Sequence, residues 1–457
     1  MNFNIPLYTY CWQLFCLQKT RSDGRKRLIH SQDFSAMKEV FLHYVWQYKL
    51  FCPTHLRTTD GTPIEIIDHG KKNTNAGPDF FNAKVKIGET LWVGNIEIHL
   101  LSSDWMRHRH DQDRRYDNVI LHVVKEHDKE IFRPNGDPIP TLILQPYPGL
   151  QERYEAMSMG ATFIHCANYW EKLPDGFMRI YLNQLLTERL CRKAASIIEK
   201  VEQTKGDWEE AFYQTLATAF GQSTNALPFE KLSQSLPIKL ISKQHDNLVQ
   251  IEALLFGQAG LLNDYSTDSY EKRLKQEYDF LQNKFGLKSI DKNLWVFAKM
   301  RPSNFPHIKI AQLSQILFKY QNLFSSILAA KGTSELRSLF EVDTSPYWEN
   351  HYSFGDQSIH RTKKMGETSI DLLLINVVVP ILFAYAQKRE NPDLAERAID
   401  LLTELPAEKN SIISQWRSLN VECRNAYDSQ ALLELKKRYC NEKNCLRCAI
   451  AHQVLKN

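Results

Sequence analysis

Gly77 to Val124 reads GPDFFNAKVKIGETLWVGNIEIHLLSSDWMRHRHDQDRRYDNVILHVV, a strand, a tight turn, a strand, a polar crossover and a third strand. Asp79, Phe81, Ala83, Val85 and Ile87 alternate with Phe80, Asn82, Lys84 and Lys86, the period of two of a half-buried strand. Gly88 supplies the turn, and the chain returns through Leu91 to Leu101. On the return strand Glu97 and His99 share one face while Ile96 and Ile98 share the other. A hairpin folded about Gly88 pairs positions equidistant from it, which sets Asp79 opposite Glu97. Opposed residues hold their Cβ atoms about 5 Å apart. Two carboxylates that close repel unless a cation lies between them or one is protonated. A hard divalent ion, Mg²⁺ or Mn²⁺, bound by one or two carboxylates and substrate phosphate, fits that pair.

The crossover Ser102–Asn118 is dense in polar groups. His99, His108 and His110 invite zinc, since imidazole is a common ligand. Arg107, Arg109, Arg114 and Arg115 favour phosphate contact instead, because arginine and protonated histidine offer charge-assisted donors. A solvated structural helix is the third reading, and all three stand open. His122, inside the apolar run Val119–Val124, reads as a core histidine. Asn135-Gly136 is a hairpin turn signal that closes a β-ribbon ending near Pro146. Upstream, Phe41, Tyr44, Val45, Tyr48 and Leu50 recur at helical spacing, and Ile64–Ile67 form a short strand after Gly61 and Pro63. Glu39 on the helix's first turn is read as a solvated charge, with metal ligation the alternative.

Pro78-Asp79, the hairpin, then Glu97-Ile98-His99 resembles the PD-(D/E)XK nuclease signature, with histidine where lysine is usual. Gln112 and Tyr116 are similar to the QxxxY element of RecB-like members. That resemblance implies Asp79 and Glu97 as Mg²⁺ ligands and His99 as the group that positions or deprotonates the attacking water. It also implies an α/β mixed-sheet core. His108, His110, Gln112, Arg115 and Tyr116 are then the candidates for nucleic-acid contact. From Met37 onward the chain also resembles a bacterial family of unknown function, through NAGPDFFNA, SSDW, VILHVV and a cysteine-rich tail.

At 457 residues and 43% hydrophobic content the chain holds real cores and more than one domain. A net charge of +4 excludes an argument from total charge, so partners must be read from local patches. Nine cysteines in so long a chain do not make a disulfide scaffold, and no secretory signal is evident. The apolar run Leu372–Ala386, broken by Asn376 and Pro380, reads as a buried helix rather than a membrane span. We expect a cytoplasmic protein with no membrane partner and with nucleic acid as partner.

Residues 1–36 place an aromatic cluster before the basic run Lys19–Arg27, and are read as an extension outside the fold. Residues 37–148 form the nuclease-like α/β domain. Residues 149–457 form a mainly α-helical region, with helices expected over Gly176–Val201, Asp207–Phe220, Leu248–Leu262 and Tyr270–Phe285. Arg301–Lys309, bounded by prolines, is expected to be a surface turn.

The tail carries Cys440, Cys445 and Cys448, a Cys-x₄-Cys-x₂-Cys run with the spacing of plant-type iron–sulfur proteins. No cysteine follows, so a fourth ligand comes from upstream or is His452. Cys166 is the first choice, Cys423 and Cys52 the others. An iron–sulfur cluster and Zn²⁺ both suit such a set, and reduced cysteines without metal remain open. RecB-like nucleases with an iron–sulfur staple similarly join a C-terminal cysteine group to one distant cysteine.

The leading expectation is a metal-dependent nuclease-like protein acting on DNA or RNA. The alternatives are a non-catalytic nucleic-acid-binding protein on the same fold and a histidine/metal-dependent hydrolase of another substrate.

Overall fold

The computed structural model describes residues 39–73, 76–158, 163–174 and 176–456. The expected extension over 1–36 lies outside the described residues. The described chain divides into two units. One comprises the stretch up to Met178 together with Lys436 onward; the other is Arg179–Leu435.

The first unit is built on a six-stranded mixed sheet. Helix α1 (Glu39–Gln47) is followed by β1 (Ile64–Asp68), β2 (Lys71–Lys72), β3 (Phe80–Ile87) and β4 (Thr90–Leu101). A short helix α2 (Asp104–Arg107) and two 3₁₀ turns lead to β5 (Val119–Glu126), β6 (Thr141–Ile143) and helix α3 (Leu150–Ser158). The strand order is β1-β3-β4-β5-β6, with β2 pairing the far end of β3. The β1–β3 and β3–β4 pairs are antiparallel; β4–β5 and β5–β6 are parallel. This makes β4 central, and Ile96, Glu97, Ile98 and His99 are all buried there. Helix α1 packs on β4 through a face that buries Phe41, Leu42, Val45 and Trp46. Between β1 and β2, Gly70 has φ +83, and a Cβ there would meet the Phe81 carbonyl at 2.8 Å. Only glycine lets the edge approach that closely.

The hairpin departs from simple alternation. From Ile87↔Thr90 to Ala83↔Gly94 it keeps one register, and a bulge before Phe80↔Ile96 shifts it. Asn82, left-handed at φ +56, absorbs the extra residue. Phe80, which simple alternation groups with Asn82, Lys84 and Lys86, is fully buried with Ala83 and Val85, and Phe81 is only partly so. The Asn135-Gly136 turn also differs from expectation. It closes a local loop in which Arg133 bridges to Asp137 and Phe132 to Pro138. The next strand then lies parallel to β5, His122↔Thr141, so no antiparallel ribbon forms.

The second unit is mainly helical, and the whole chain is an α/β sheet region followed by a mainly α-helical one. The expected helices are Phe177–Gln203, Trp208–Phe220, Leu248–Gln258 and Ser269–Phe285. Asp207, Asn247 and Asp268 cap the last three by accepting bonds from the first-turn amides. The Arg301–Lys309 stretch is no simple surface turn. A helix starts at Pro306 and buries His307 and Lys309. The apolar run extends through both interruptions into one helix, Glu367–Arg389. Pro380 removes an amide from the helix interior, and the backbone widens into a π turn over Leu374–Val378 just before it. Asn376 in that turn accepts from Lys193 Nζ at 2.8 Å. This helix is long and apolar enough to cross a membrane by composition, yet 78% of its most apolar window is buried inside the protein.

Candidate functional site

The bulge at Asn82 restores, at the end of the hairpin, the register that opposes Asp79 and Glu97. The two residues interlock. The Asp79 amide donates to Glu97 Oε2 at 3.1 Å, and the Ile98 amide donates to Asp79 Oδ2 at 2.9 Å. Helix α1 adds a third acid and an imidazole, Glu39 and His43, one turn apart on the face toward the strands. His43 Nε2 lies 3.1 Å from Asp79 Oδ2 and 4.0 Å from Glu39 Oε1. Burial, then the charge of Asp79, pushes the Glu97 carboxyl up to about 9. Burial is also the main cause that raises Glu39. At His43 burial opposes the charged form, but the contact and charge of Asp79 outweigh it and the net shift is upward. Three acids and one imidazole thus converge where water cannot solvate them fully.

A second layer of imidazoles adjoins the acids. His110 Nε2 lies 3.2 Å and His99 Nε2 3.5 Å from Glu97 Oε1. His99 Nδ1 meets His122 Nε2 at 2.8 Å, and His108 Nδ1 meets His99 Nε2 at 3.1 Å. The ligand nitrogens of His99, His108 and His110 all lie within 4.8 Å of one another. Burial, with neighbouring imidazoles second, depresses His99 far below its ordinary value and His122 to about 3. Both rings are therefore neutral at physiological pH, the form that donates a lone pair to a metal. The Nε2 atoms of His43 and His110 are buried without an aligned hydrogen bond, although a carboxylate oxygen stands close to each.

The other residues singled out in the sequence take different places. Tyr116 is buried, stacked on the His110 ring at 3.8 Å, and packs with Trp105, Val119, Ile131 and Ile139. Its face is thus covered. Gln112 and Arg115 are exposed on the 3₁₀ turns, and Arg115 Nε pairs with both oxygens of Asp113 at 3.0 and 2.9 Å. His108 is the exposed member of the imidazole group. His122 is buried, as its apolar run predicts, and also bonded to His99. Two site residues escaped the sequence reading: His43, whose signal was its four-residue spacing from Glu39, and Lys72. Lys72 pairs with Phe80 across β2–β3 beside Asp79; burial lowers its ammonium and the Asp79 charge opposes that.

In the same unit the tail returns to the loop after α3. Lys436 Nζ donates to the Phe163 carbonyl at 2.8 Å and lies 4.5 Å from that residue's ring. Cys166, Cys440, Cys445 and Cys448 are not disulfide-bonded. Burial raises Cys166 to about 12 and Cys445 to about 11, and raises Cys440 further still; the other thiols add to each. His452 Nδ1 lies 2.9 Å from Tyr44 Oη.

A mixed sheet whose central strand presents a buried acid, Glu97, and a buried imidazole, His99, in a chain that also has a helical unit, defines the class. By residues 39–411 the chain belongs to DUF2851, a protein family of unknown function. No curated protein and no solved structure matches it.

Proposed function

We propose that the end of the β3–β4 hairpin is a divalent-metal site for hydrolysis of phosphodiesters in DNA or RNA. The observation that carries this reading is the interlocked pair Asp79 and Glu97, approached by the unaligned nitrogens of His43 and His110. A protonated Glu97 is one way to hold such a pair together; a cation is the other, and the imidazoles beside the acids are further donors for it. The order of elements supports the nuclease-like reading: a helix, three antiparallel strands, a crossover and a strand parallel to the third. Asp79 immediately precedes β3, and Glu97 and His99 lie on β4, an order in keeping with the PD-(D/E)XK resemblance.

The donor set also bears on the metal. Carboxylates alone suit Mg²⁺, whereas added imidazoles suit Mn²⁺ or Zn²⁺. When bound, the ion supplies charge neutralisation at the scissile phosphate and a nucleophilic water at neutral pH. Asp79 and Glu97 hold it. His99, kept neutral by burial, offers a lone pair to a metal and carries no charge that would repel it. Lys72 beside the acids, and exposed Arg109 and Arg114 on the crossover, offer the cationic contacts a phosphate needs. The imidazole trio also favours the second reading, a metal-dependent hydrolase of another substrate on the same residues.

The test is a panel of labelled single-stranded, duplex and branched DNA and RNA with Mg²⁺, Mn²⁺ or Zn²⁺, beside simple phosphoesters. Divalent-dependent cleavage of nucleic acid is expected, and Asp79→Asn or Glu97→Gln should abolish it while the fold is kept. Full activity in either variant removes the metal assignment. Turnover of small esters alone moves the conclusion to the second reading.

A further inference from the structure

We propose that His99, His108 and His110, together with Glu97 Oε1, bind a transition-metal ion of the Zn²⁺ type at a position of its own beside the acid pair. The ion pins the crossover to the central strand. The inference extends the phosphodiester reading by sharing Glu97 between two ions, and only that sharing rests on it.

Distances carry the proposal. A four-coordinate zinc with Zn–N of about 2.0–2.1 Å holds its donor atoms about 3.4 Å apart. His108 Nδ1 lies 3.1 Å from His99 Nε2, and His99 Nε2 lies 3.5 Å from Glu97 Oε1. Glu97 Oε1 in turn lies 3.2 Å from His110 Nε2. Each of these three steps is close to the edge of such a tetrahedron. One ring nitrogen from each imidazole also lies within 4.8 Å of the other two, so the donors are gathered rather than strung out. Hydrogen bonding accounts for the His99–His108 pair. It leaves His110 Nε2 buried and without an aligned bond beside the Glu97 carboxylate, and an ion satisfies both groups together. Glu97 turns its other oxygen, Oε2, to the Asp79 amide at 3.1 Å, on the side of the acid pair.

The local backbone brings the rings to one place. His108 closes α2 and His110 opens a 3₁₀ turn, with Arg109 between them in the left-handed region at φ +60. Residues two apart on a continuous helix do not face each other. The left-handed residue breaks the helix, and both rings reach His99, with centroids 4.9 and 5.2 Å away. That conformation is costly for arginine and persists where the surroundings fix it. Tyr116 stacks on His110 at 3.8 Å, and His122 Nε2 lies 2.8 Å from His99 Nδ1. With His99 donating through Nδ1, its Nε2 presents the lone pair. His108 is exposed, which gives the ion a way in. The nearby positive charge is partly cancelled, because Arg107 pairs with Asp104 at 2.8 Å and Arg115 with Asp113. Three imidazoles and one carboxylate suit Zn²⁺ and Co²⁺ over Mg²⁺, which takes oxygen ligands. Four protein donors close the shell, so this ion is a clamp rather than the source of an attacking water.

The experiment uses the full chain, stripped of metal by a chelator under reducing conditions and titrated with Co²⁺. The difference spectrum between the parent and His108→Ala should show the visible bands of four-coordinate cobalt without thiolate charge transfer in the near ultraviolet. Any ion held at the tail cysteines cancels in that difference. Zn²⁺ should displace the cobalt and Mg²⁺ should not. His108→Ala, a change at an exposed ring, should weaken Co²⁺ binding about 100-fold or more, whereas Asp79→Asn should keep the bands. Because a variant can misfold, the parent is also treated with diethylpyrocarbonate with and without Zn²⁺. His108 should be modified only without Zn²⁺, and the exposed His55 and His360 in both states. Unchanged bands in folded His108→Ala overturn the proposal, as does His108 modified equally in both states. Bands lost as fully in Asp79→Asn as in His108→Ala overturn the separate position, since one ion would then use both sets of donors. Bands that persist in a parent protein that cleaves no nucleic acid remove the phosphodiester reading and leave this site standing.

Discussion

His99 is the imidazole through which the others are connected. It is 1% exposed, accepts or donates at both nitrogens, and lies 3.5 Å from Glu97. In a metal site, a partner on the far nitrogen of a ligating imidazole fixes its tautomer and direction. His122 fills that position. His122→Ala should therefore weaken Mn²⁺ or Zn²⁺ binding about 10–100-fold by calorimetric titration without removing a direct ligand. An unchanged affinity would leave His122 as core filling alone. His99→Lys, the change that restores the usual nuclease motif, is expected to keep a counter-charge in Glu97 but strand two imidazoles. We expect it to lower stability by about 1–3 kcal/mol, read from urea midpoints. A variant as stable as the parent would mean that the imidazole contacts contribute little. Asp79, Glu97 and His99 could be read in the sequence because a strand's period of two states which side chains share a face. Tyr116 could not. An aromatic four residues past a glutamine has the same spelling whether it stacks on a base or on His110.

At the scale of the element, the bulge in β3 decides whether the acids meet. The ladder near the turn runs one residue out of step with the ladder at the site, and Asn82 makes up the difference at φ +56. Asparagine tolerates that conformation, glycine prefers it, and a β-branched residue does not. Asn82→Gly should leave divalent affinity unchanged. Asn82→Val should cost about 1–3 kcal/mol and weaken metal binding by moving Asp79 relative to Glu97. Equal affinity in both variants would show that the register survives without the left-handed residue. Strand, turn and acid pair were legible here; the bulge was not, because one extra residue leaves no compositional trace beyond an asparagine. The same limit explains β6. Asn135-Gly136 is a genuine turn signal, but a turn does not say which strand its exit will join, and pairing with β5 is parallel. The four helices named in the second unit were legible because caps and periodicity are local. The burial of Lys309 and the continuity of Glu367–Arg389 through Pro380 depended on neighbours that the sequence does not name, and helices such as Ala226–Ser235 and Pro392–Glu404 were not read.

At the scale of the whole molecule, the sheet unit is discontinuous: its last segment follows a helical unit of 179–435. The return is fixed by packing. Helix α4 (Ala449–Lys456) buries Ile450, Ala451 and Leu455, Tyr44 of α1 bonds His452, and Arg153 of α3 donates to the Leu455 carbonyl at 3.3 Å. Burying a large apolar side chain contributes about 1.5–3 kcal/mol, so losing two of them with these bonds is a large share of a domain's stability. Composition marked the cysteines but not where the chain would bring them, since a segment's destination is a long-range property. We therefore predict that deleting Lys436–Asn457 loosens the sheet unit selectively. Hydrogen exchange of the α1 and α3 amides should accelerate about 10²-fold or more, because local opening then needs several kcal/mol less. The amides of Leu248–Gln258, whose core is built from Ile251, Leu254, Leu255 and Phe256 within the helical unit, should keep their rates. Equal acceleration in both would mean that the two units open as one, and unchanged rates in α1 would mean that the tail lies on the sheet unit without supporting it.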